Sequence, residues 1–280
     1  MEAKAEKILN PAREKTISLL LFGAALVYLY FPVLKGLVHD WWHDPNYSHG
    51  FLLPAFSAYL LWVKRHELAR IPLKGSWWGL ILTLAGLALF LLGWIAGEQF
   101  TQRFSFLVVL YGGIIFLCGW PLAKKIFFPV WINVLAIPIP YIIYNTLTFP
   151  LKLFASKVAT HLLQMLGYSV YRDGNIIVLP NMVLEVVDAC SGIRSLISLL
   201  AICSILAYFM RSNLWRVVLI LASIPIAIGV NVLRVFITGI LSYHFGAKAA
   251  EGFFHTFSGI LVFGLSILLV FALHFLVAKK

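Results

Sequence analysis

Residues 214–237 read LWRVVLILASIPIAIGVNVLRVFI and carry only two charged side chains, Arg216 and Arg234. A helix needs about 20 predominantly apolar residues to cross the hydrocarbon core of a bilayer. The stretch is therefore predicted to be a transmembrane helix. We expect Pro225 to kink it, because proline has no backbone N–H to donate within the helix.

The same apolar character runs through the chain of 280 residues, which is 61% hydrophobic and 12% charged, with a mean hydropathy of +0.93. This composition is typical of an all-α polytopic membrane protein rather than of a globular enzyme. About eight transmembrane helices are predicted, at residues 16–38, 50–64, 77–95, 104–120, 126–144, 191–210, 214–237 and 255–277. Residues 1–280 are expected to form a single integral membrane domain, with residues 1–15 as a cytoplasmic N-terminal segment.

Basic residues set the predicted orientation. The net charge is +11, but the Lys and Arg residues gather in short loops on one side of the predicted helices, which is the pattern of a cytoplasmic face. Both termini are then cytoplasmic, and the loops at residues 41–50, 97–103, 145–190 and 238–254 lie outside. The positive charge is thus interpreted as a determinant of topology, and no nucleic-acid partner is expected.

The longest outer loop contains two predicted structural features. Residues 151–166 alternate polar and apolar side chains at helical spacing, so they are expected to form an amphipathic helix that lies in the membrane interface. Its predicted polar side consists of Lys152, Ser156, Lys157, Thr160, His161 and Gln164. Residues 174–187 place two apolar runs around Pro180 and Asn181, which is typical of a small extended hairpin. This hairpin would deliver Cys190 to the membrane surface.

Three residues with chemically useful side chains fall at the predicted outer ends of separate helices. Cys190 precedes a helix that Asp188 or Ser191 could cap, and the positive end of that helix would favour the thiolate. Arg234 lies in an apolar run, where an arginine normally has a protein or water partner or else extends to the interface. His255 opens the last predicted helix and can exchange protons near neutral pH.

Together these groups suit acyl transfer. The Cys190 thiolate would attack a peptide carbonyl, His255 would move the protons, and Arg234 would donate to the developing oxyanion. Water or an amine could resolve the resulting thioester. Ser191 is an alternative nucleophile, but a thiol is intrinsically more reactive than a hydroxyl, which favours Cys190.

Four ordered motifs make the sequence similar to a known family. They read DPNYSHG at residues 44–50, EVVDACSGIRSL at 185–196, NVLR at 231–234 and FHTFSG at 254–259. In these motifs the chain resembles the exosortases, which are bacterial membrane transpeptidases. The resemblance implies that Cys190, Arg234 and His255 are catalytic. A supporting site is expected in the same motifs, made of Asp188, Ser191, Asn231, Tyr47 and His49.

The resemblance also implies the partners and the location. The substrates would be membrane-anchored secreted proteins with a C-terminal sorting signal, which combines a Pro-Glu-Pro-type motif, a transmembrane helix and a basic tail. The protein would lie in the inner membrane of exopolysaccharide-producing bacteria, with its active site facing the periplasm. An acceptor amine or cell-surface component would receive the product. The acidic motif could be bound by Arg194, Arg172 and Lys157, which are all predicted near the outer surface.

Three other readings of the sequence remain open. His39 and His43 are four residues apart and could share a metal ion, although the neighbouring Trp41 and Trp42 more simply indicate an interfacial aromatic belt. We expect neither a metal nor a cofactor. A transporter would account for proline-interrupted helices and for Arg234 within the membrane, but no inverted repeat is found. A scaffold of the export machinery for exopolysaccharide or protein is the third reading.

Overall fold

Long apolar helices dominate both halves of the chain in the computed structural model, which describes residues 11–187, 192–246 and 252–278. The chain divides into two units, Met1–Pro140 and Tyr141–Lys280. The helices of the first unit are α1 (Pro11–His43), α2 (Leu52–Val63), α3 (Arg65–Ala69), α4 (Trp77–Ile95), α5 (Gln99–Cys118) and α6 (Trp120–Trp131), with 3-10 turns at Ser48–Phe51 and Ile132–Ala136.

The second unit combines helices with one small sheet. Its helices are α7 (Tyr141–Met165), α8 (Ile193–Phe209), α9 (Asn213–Phe245) and α10 (Gly252–Ala278). The strands β1 (Tyr171–Asp173), β2 (Ile176–Leu179) and β3 (Met182–Glu185) pair in that order, and both pairs are antiparallel. The predicted hairpin is present as β2 and β3, whereas the short strand β1 was not predicted.

The fold is that of an all-helical polytopic membrane protein, as predicted, but among the described residues fewer helices than the eight expected are long and apolar enough to be candidate spans. Within the described residues, five segments are long and apolar enough: Glu14–His43, Trp77–Ile95, Gln99–Cys118, Asn213–Phe245 and Gly259–Leu276. A sixth is obtained if Trp120–Ala136 and Tyr141–Met165 count as one broken span. The predicted helix at residues 126–144 is therefore interrupted at residues 137–140, where Pro138 and Pro140 cannot donate backbone hydrogen bonds. The helices α2 and α8, with 12 and 17 residues, are shorter apolar helices.

In the first unit, α4 and α5 pack as an antiparallel pair through glycines. Three glycines of α4 are spaced seven residues apart and are all buried: Gly79, Gly86 and Gly93. A Cβ atom added to Gly79 would lie 2.6 Å from the carbonyl oxygen of Gly112, and one added to Gly86 would lie 2.7 Å from Cγ2 of Val109. Small residues at such an interface let two membrane helices approach closely and gain van der Waals contact.

Replacement of Gly86 by leucine is expected to destabilise the first unit by about 1–3 kcal/mol, because the added atoms overlap the backbone and side chain of α5. The thermal unfolding midpoint of the purified protein in detergent should fall. Gly23 of α1 provides a matched control, since no heavy atom lies within 4 Å of a Cβ added there. Equal midpoints for Gly86→Leu and Gly23→Leu would contradict the close packing of α4 on α5.

In the second unit, a layer of α7 and the sheet packs on the C-terminal half of α9. Its core is formed by buried side chains from all of these elements: Ala155, Ala159, Leu163, Ile177, Leu179, Leu184, Val186, Val232 and Val235. Asn181, in the turn between β2 and β3, donates a 3.0 Å hydrogen bond to the carbonyl of Tyr243. The sheet is therefore held on α9 at both its apolar face and its turn.

The predicted interfacial helix at residues 151–166 differs from α7 in two respects. Residues 151–166 continue the helix that begins at Tyr141. The break in the chain therefore lies before residue 141, and not between the predicted fifth span (126–144) and residue 151. Ser156 and Thr160, predicted on the solvated side, are buried, whereas Phe154 and Met165 are exposed. Ser156 faces the sheet, where its hydroxyl donates to the carbonyl of Gly174 at 3.0 Å. Hydropathy alone could not predict this, because a protein surface rather than lipid covers that face.

Candidate active site

The centre of the candidate site lies on α9. Asn231 and Arg234 are three residues apart and therefore share one face of the helix. Asn231 is buried, and Arg234 is half-buried. Two other segments of the second unit contact α9 at these two residues.

The first of these segments is the start of α8. Gly192, which precedes α8, is buried and has a φ of +82°, in the left-handed region that favours glycine. A Cβ atom added to Gly192 would lie 2.9 Å from both Cβ and Cγ of Asn231. The chain therefore passes directly against Asn231 two residues after Cys190. Cys190 itself lies outside the described residues, together with Asp188 and Ser191.

The second segment is the start of α10. A Cβ atom added to Gly259 would lie 3.4 Å from Nη2 of Arg234 and 3.6 Å from its Cζ. His255 belongs to the first turn of α10 and lies four residues before Gly259, a spacing that puts two residues on the same face of a helix. The side chain of His255 lies outside the described part of the chain. The backbone of α10 one turn after His255 is thus near the guanidinium group of Arg234.

All three predicted catalytic residues were expected at helix ends, but Arg234 lies within a helix. Arg234 lies eleven residues before the end of α9 at Phe245, which corresponds to roughly 16 Å along the helix. The helix continues beyond the predicted boundary at residue 237 because Phe236, Ile240 and Tyr243 pack against the layer of α7 and the sheet. Arg234 therefore lies in the interior of α9, whereas Cys190 and His255 are close in sequence to the starts of α8 and α10.

The three basic residues proposed to bind substrate are all exposed. Lys157 lies on α7, Arg172 on β1 and Arg194 in the first turn of α8. Arg172 donates a 2.7 Å hydrogen bond from Nη1 to the carbonyl of Gly174, which restrains its side chain next to the sheet. Their exposure leaves all three accessible to a substrate, and their role stays a prediction.

Tyr47 and His49 have structural partners within the first unit. The backbone N–H of Ile139 donates to the Tyr47 hydroxyl at 3.0 Å, and Nε2 of His49 lies 3.2 Å from the carbonyl of Leu135. Burial lowers the pKa of His49, although its hydrogen bond with Leu135 opposes this effect. Both side chains thus hold the segment around the break at residues 137–140. Their predicted role in supporting the active site is a separate expectation.

The two histidines considered as metal ligands contact each other, and the two cysteines other than Cys190 are buried. The rings of His39 and His43 stack with centroids 4.0 Å apart, and Nδ1 of His43 lies 2.9 Å from the carbonyl of His39. No group of three or more His, Cys, Asp or Glu side chains is arranged for a metal among the described residues. Cys118 and Cys203 are free and buried, as expected for cysteines within apolar runs.

Replacement of Gly192 by alanine should destabilise the second unit and reduce substrate processing. The left-handed conformation alone costs an alanine about 1–2 kcal/mol, and the new methyl group would displace Asn231. Gly174 is a matched control, because its φ is +60° and nothing lies within 4 Å of an added Cβ. Gly174→Ala should lose stability but retain processing. Equal processing by the two variants, measured at equal folded concentration, would contradict a role for the Gly192–Asn231 contact.

The two glycines that bring these segments together were not predicted as part of the site. Asn231 was expected to be a supporting residue, but its contact with Gly192 and the approach of Gly259 to Arg234 were not expected. The glycines were visible in the CSG sequence at residues 190–192 and in the SG pair at 258–259. A glycine in sequence signals either a special φ or a close approach, but it does not identify the neighbour.

The comparison with known proteins agrees with these motifs. A model of the transmembrane exosortase family, Exosortase_EpsH, matches residues 41–272. No curated protein and no solved structure matches the chain. The matched region covers more than half of the chain, and membership of this family implies a role in the processing of sorting signals. This protein therefore belongs to the transmembrane exosortases, which are generally considered transpeptidases.

Proposed function

We propose that this protein is a membrane cysteine transpeptidase that cleaves the C-terminal sorting signals of secreted proteins through a thioester intermediate. Cys190 is the nucleophile, His255 transfers the protons, and Arg234 stabilises the oxyanion. The observation that carries the proposal is the contact of α9 with two flanking segments. Gly192 packs on Asn231, and Gly259 lies next to Arg234. The chain next to Cys190 and the helix of His255 are therefore neighbours of one face of α9.

The proposed reaction has two steps. In the first, His255 takes the proton of the Cys190 thiol, the sulfur attacks the scissile carbonyl, and the amide C–N bond breaks as His255 returns a proton to the leaving amine. The remaining N-terminal product is held as a thioester. In the second step, an amine or water attacks this thioester and regenerates the thiol, which gives transfer or hydrolysis respectively.

The proposed role of Arg234 follows from its position and chemistry. A guanidinium group presents several N–H donors in a planar fork, which suits an oxygen that gains negative charge. Donors that are fixed before the reaction stabilise such an oxygen most strongly where water is excluded. The half-buried position of Arg234 within α9 supports this role.

The proposed location is the inner membrane of a bacterium, with both termini in the cytoplasm and the site at the periplasmic face. The basic loops support this orientation by the positive-inside rule. A substrate with its own transmembrane helix would present its scissile bond at that face, and confinement to the membrane would favour the encounter. We treat the two units as one integral membrane domain, because the family match extends across both.

The proposed substrate contacts involve the exposed residues Lys157, Arg172 and Arg194. Each could pair with the glutamate of a Pro-Glu-Pro-type motif. Charge reversal at these positions should change which substrates are processed without preventing acylation of Cys190 by a small probe. If none of the three reversals changes processing, this part of the proposal is wrong.

The direct test is detection of the acyl-enzyme. The full chain is co-expressed with a tagged sorting-signal substrate, quenched in acid and digested, and the peptide that contains Cys190 is examined by mass spectrometry. We expect a mass increase that equals the N-terminal product attached as a thioester, and its removal by hydroxylamine. Cleavage without any adduct on Cys190, but with one on Ser191, would assign the nucleophile to serine instead.

The same experiment separates the other candidate functions. A transporter or a scaffold would leave the tagged substrate uncleaved by this chain, and neither would form an acyl adduct. Reconstitution of the purified chain with the substrate in vesicles makes this distinction without other cellular proteins. An intact substrate under these conditions, with the protein folded, would overturn the proposed activity.

A further inference from the structure

We infer that the first unit holds a membrane phospholipid, with an acyl chain in an apolar cavity that is open at the surface and the headgroup phosphate bound by Arg103. This inference concerns Met1–Pro140 alone and does not depend on the proposed catalytic reaction. It rests on the shape and lining of two cavities and on the hydrogen bonds of one buried guanidinium group.

The larger cavity has a volume of about 490 Å³ and lies between α1, α2, α5, α6 and the 3-10 turn that follows α6. Its size falls in the range of small-molecule sites. Its lining is almost entirely apolar, as the following residues illustrate: Val33, Leu37, Ala58, Leu107, Leu110 and Val130. An apolar chain fits such a lining, whereas ordered water needs several polar partners.

The polar side chains that line this cavity are mostly engaged with the protein. The Ser57 hydroxyl donates to the carbonyl of Leu53 at 2.8 Å and accepts from Nδ2 of Asn133 at 3.0 Å. Trp41 donates from Nε1 to the carbonyl of Ala136 at 2.7 Å. Within the described part of the chain, Oδ1 of Asn133 has no hydrogen-bond partner. One free acceptor is too little to hold a column of water, so the cavity favours an apolar occupant.

Arg103 marks the polar end of the cavity. Its side chain is only 5% exposed, and its Nη2 atom lies 2.7 Å from Oδ2 of Asp40 and donates to Oε1 of Gln99 at 2.9 Å. A guanidinium group has five N–H donors, three of which belong to Nη1 and Nε. Within residues 11–187, 192–246 and 252–278, no hydrogen bond is made by these two atoms. Such donors match a phosphate better than any other common membrane group.

A second cavity adjoins the same guanidinium group. It has a volume of about 260 Å³, shares Val33 and Arg103 with the larger one, and is lined in addition by Gly36, Gln99, Gln102 and other residues. Arg103 therefore borders an apolar space on one side and a more polar space on the other. An amphiphile with a chain and a phosphate headgroup has the same arrangement.

The depth of Arg103 along the helices agrees with a headgroup. It is the fifth residue of α5, and Asp40 lies three residues before the end of α1. The nearby Trp42 and Trp94 are exposed and lie close to the ends of α1 and α4. Tryptophan is enriched at the membrane interface, so the guanidinium group lies near headgroup level. Leu110, seven residues further along α5, lies roughly 10 Å deeper.

The test measures lipid binding to the full chain in detergent by native mass spectrometry. The probes are dioleoyl phosphatidylglycerol, dioleoylglycerol, which lacks the phosphate, and glycerol 3-phosphate, which lacks the chains. We expect one saturable phospholipid site and weaker binding of both truncated probes by about tenfold or more, because each loses one of the two subsites. Equal affinity for dioleoylglycerol and the phospholipid would overturn the assignment of the phosphate to Arg103.

Two variants test the two ends of the site. Ala58→Trp should fill the apolar cavity and weaken phospholipid binding by about tenfold or more. Ala55→Trp, on the same helix but outside the cavity lining, is its control and should bind as the unmodified protein does. Arg103→Lys keeps a positive charge next to Asp40 but removes the planar fork, so it should weaken binding while the protein stays folded. Thermal midpoints confirm folding. Unchanged affinity in either Ala58→Trp or Arg103→Lys would overturn the proposal.

Discussion

Replacement of Cys190 by alanine is expected to abolish cleavage of a sorting-signal substrate. The nucleophile forms the covalent bond that divides the reaction into two steps, and loss of such a group in a protease reduces the rate on the order of 10⁶-fold. The measurement is the fraction of a co-expressed, tagged substrate that is cleaved at a fixed time. The variant should accumulate to the same level as the unmodified chain, because its effect is chemical rather than structural.

The chain provides matched controls for this replacement. Cys118 and Cys203 are buried in the apolar interior of the described structure, so Cys118→Ala and Cys203→Ala remove a thiol without removing the proposed nucleophile. Both should retain cleavage at a given amount of folded protein. Ser191→Ala should also retain it, whereas Cys190→Ser should not, since the hydroxyl is a weaker nucleophile in the same position. Cleavage by Cys190→Ala would exclude the thioester mechanism.

The hydropathy pattern along the sequence predicted a helix well where most of its side chains are exposed on the surface of the protein. The predicted helix at residues 77–95 coincides with α4 (Trp77–Ile95). Its hydrophobic side chains are largely exposed on the surface of the unit, and their apolar character suits a lipid environment. The buried glycines of α4 pack against α5. Their spacing in the sequence indicates a close helix contact but not which helix packs there.

Hydropathy was less informative where protein covers the helix. In α7 the buried side includes Ser156 and Thr160, and in α9 the helix extends past residue 237 to Phe245 because the sheet packs on it. Both outcomes depend on tertiary contacts that override the local pattern. The apolar cavity next to Arg103 is a further example, since its walls come from separate helices of the first unit. No local window of the sequence contains them.

The residues of the candidate site could be proposed from the sequence, but the packing around them could not. Motifs identified Cys190, Arg234, His255 and Asn231 from their types and order in the chain. The approach of Gly192 to Asn231 and of Gly259 to Arg234 depends on how α8 and α10 pack against α9. Arg234 lies within α9, next to Gly259 of α10, and not at a helix end. The distinction matters because it separates an oxyanion donor from an interfacial anchor.

Replacement of Arg234 distinguishes these two roles. If Arg234 stabilises the oxyanion, Arg234→Gln should reduce the cleavage rate by about 10²–10³-fold, the usual effect of losing one such donor. Arg234→Lys should also be strongly impaired, because an ammonium group cannot reproduce the planar fork of donors. An anchor would behave differently. Lysine extends to the membrane interface as readily as arginine does, so full activity in Arg234→Lys would refute the catalytic role.

A second arginine of α9 controls for general effects of charge and stability. Arg216 donates from Nε and Nη2 to the carbonyl of Met210, at 2.9 and 2.6 Å, at the other end of the helix. Arg216→Gln should lower the thermal midpoint because that carbonyl loses its donors, but cleavage per folded molecule should be unchanged. For Arg234→Gln the opposite is expected, with a rate loss that exceeds any loss of folded protein. The acyl-enzyme on Cys190 should then form slowly in Arg234→Gln. This delay follows because the oxyanion precedes the thioester, so the donor acts before the covalent intermediate exists.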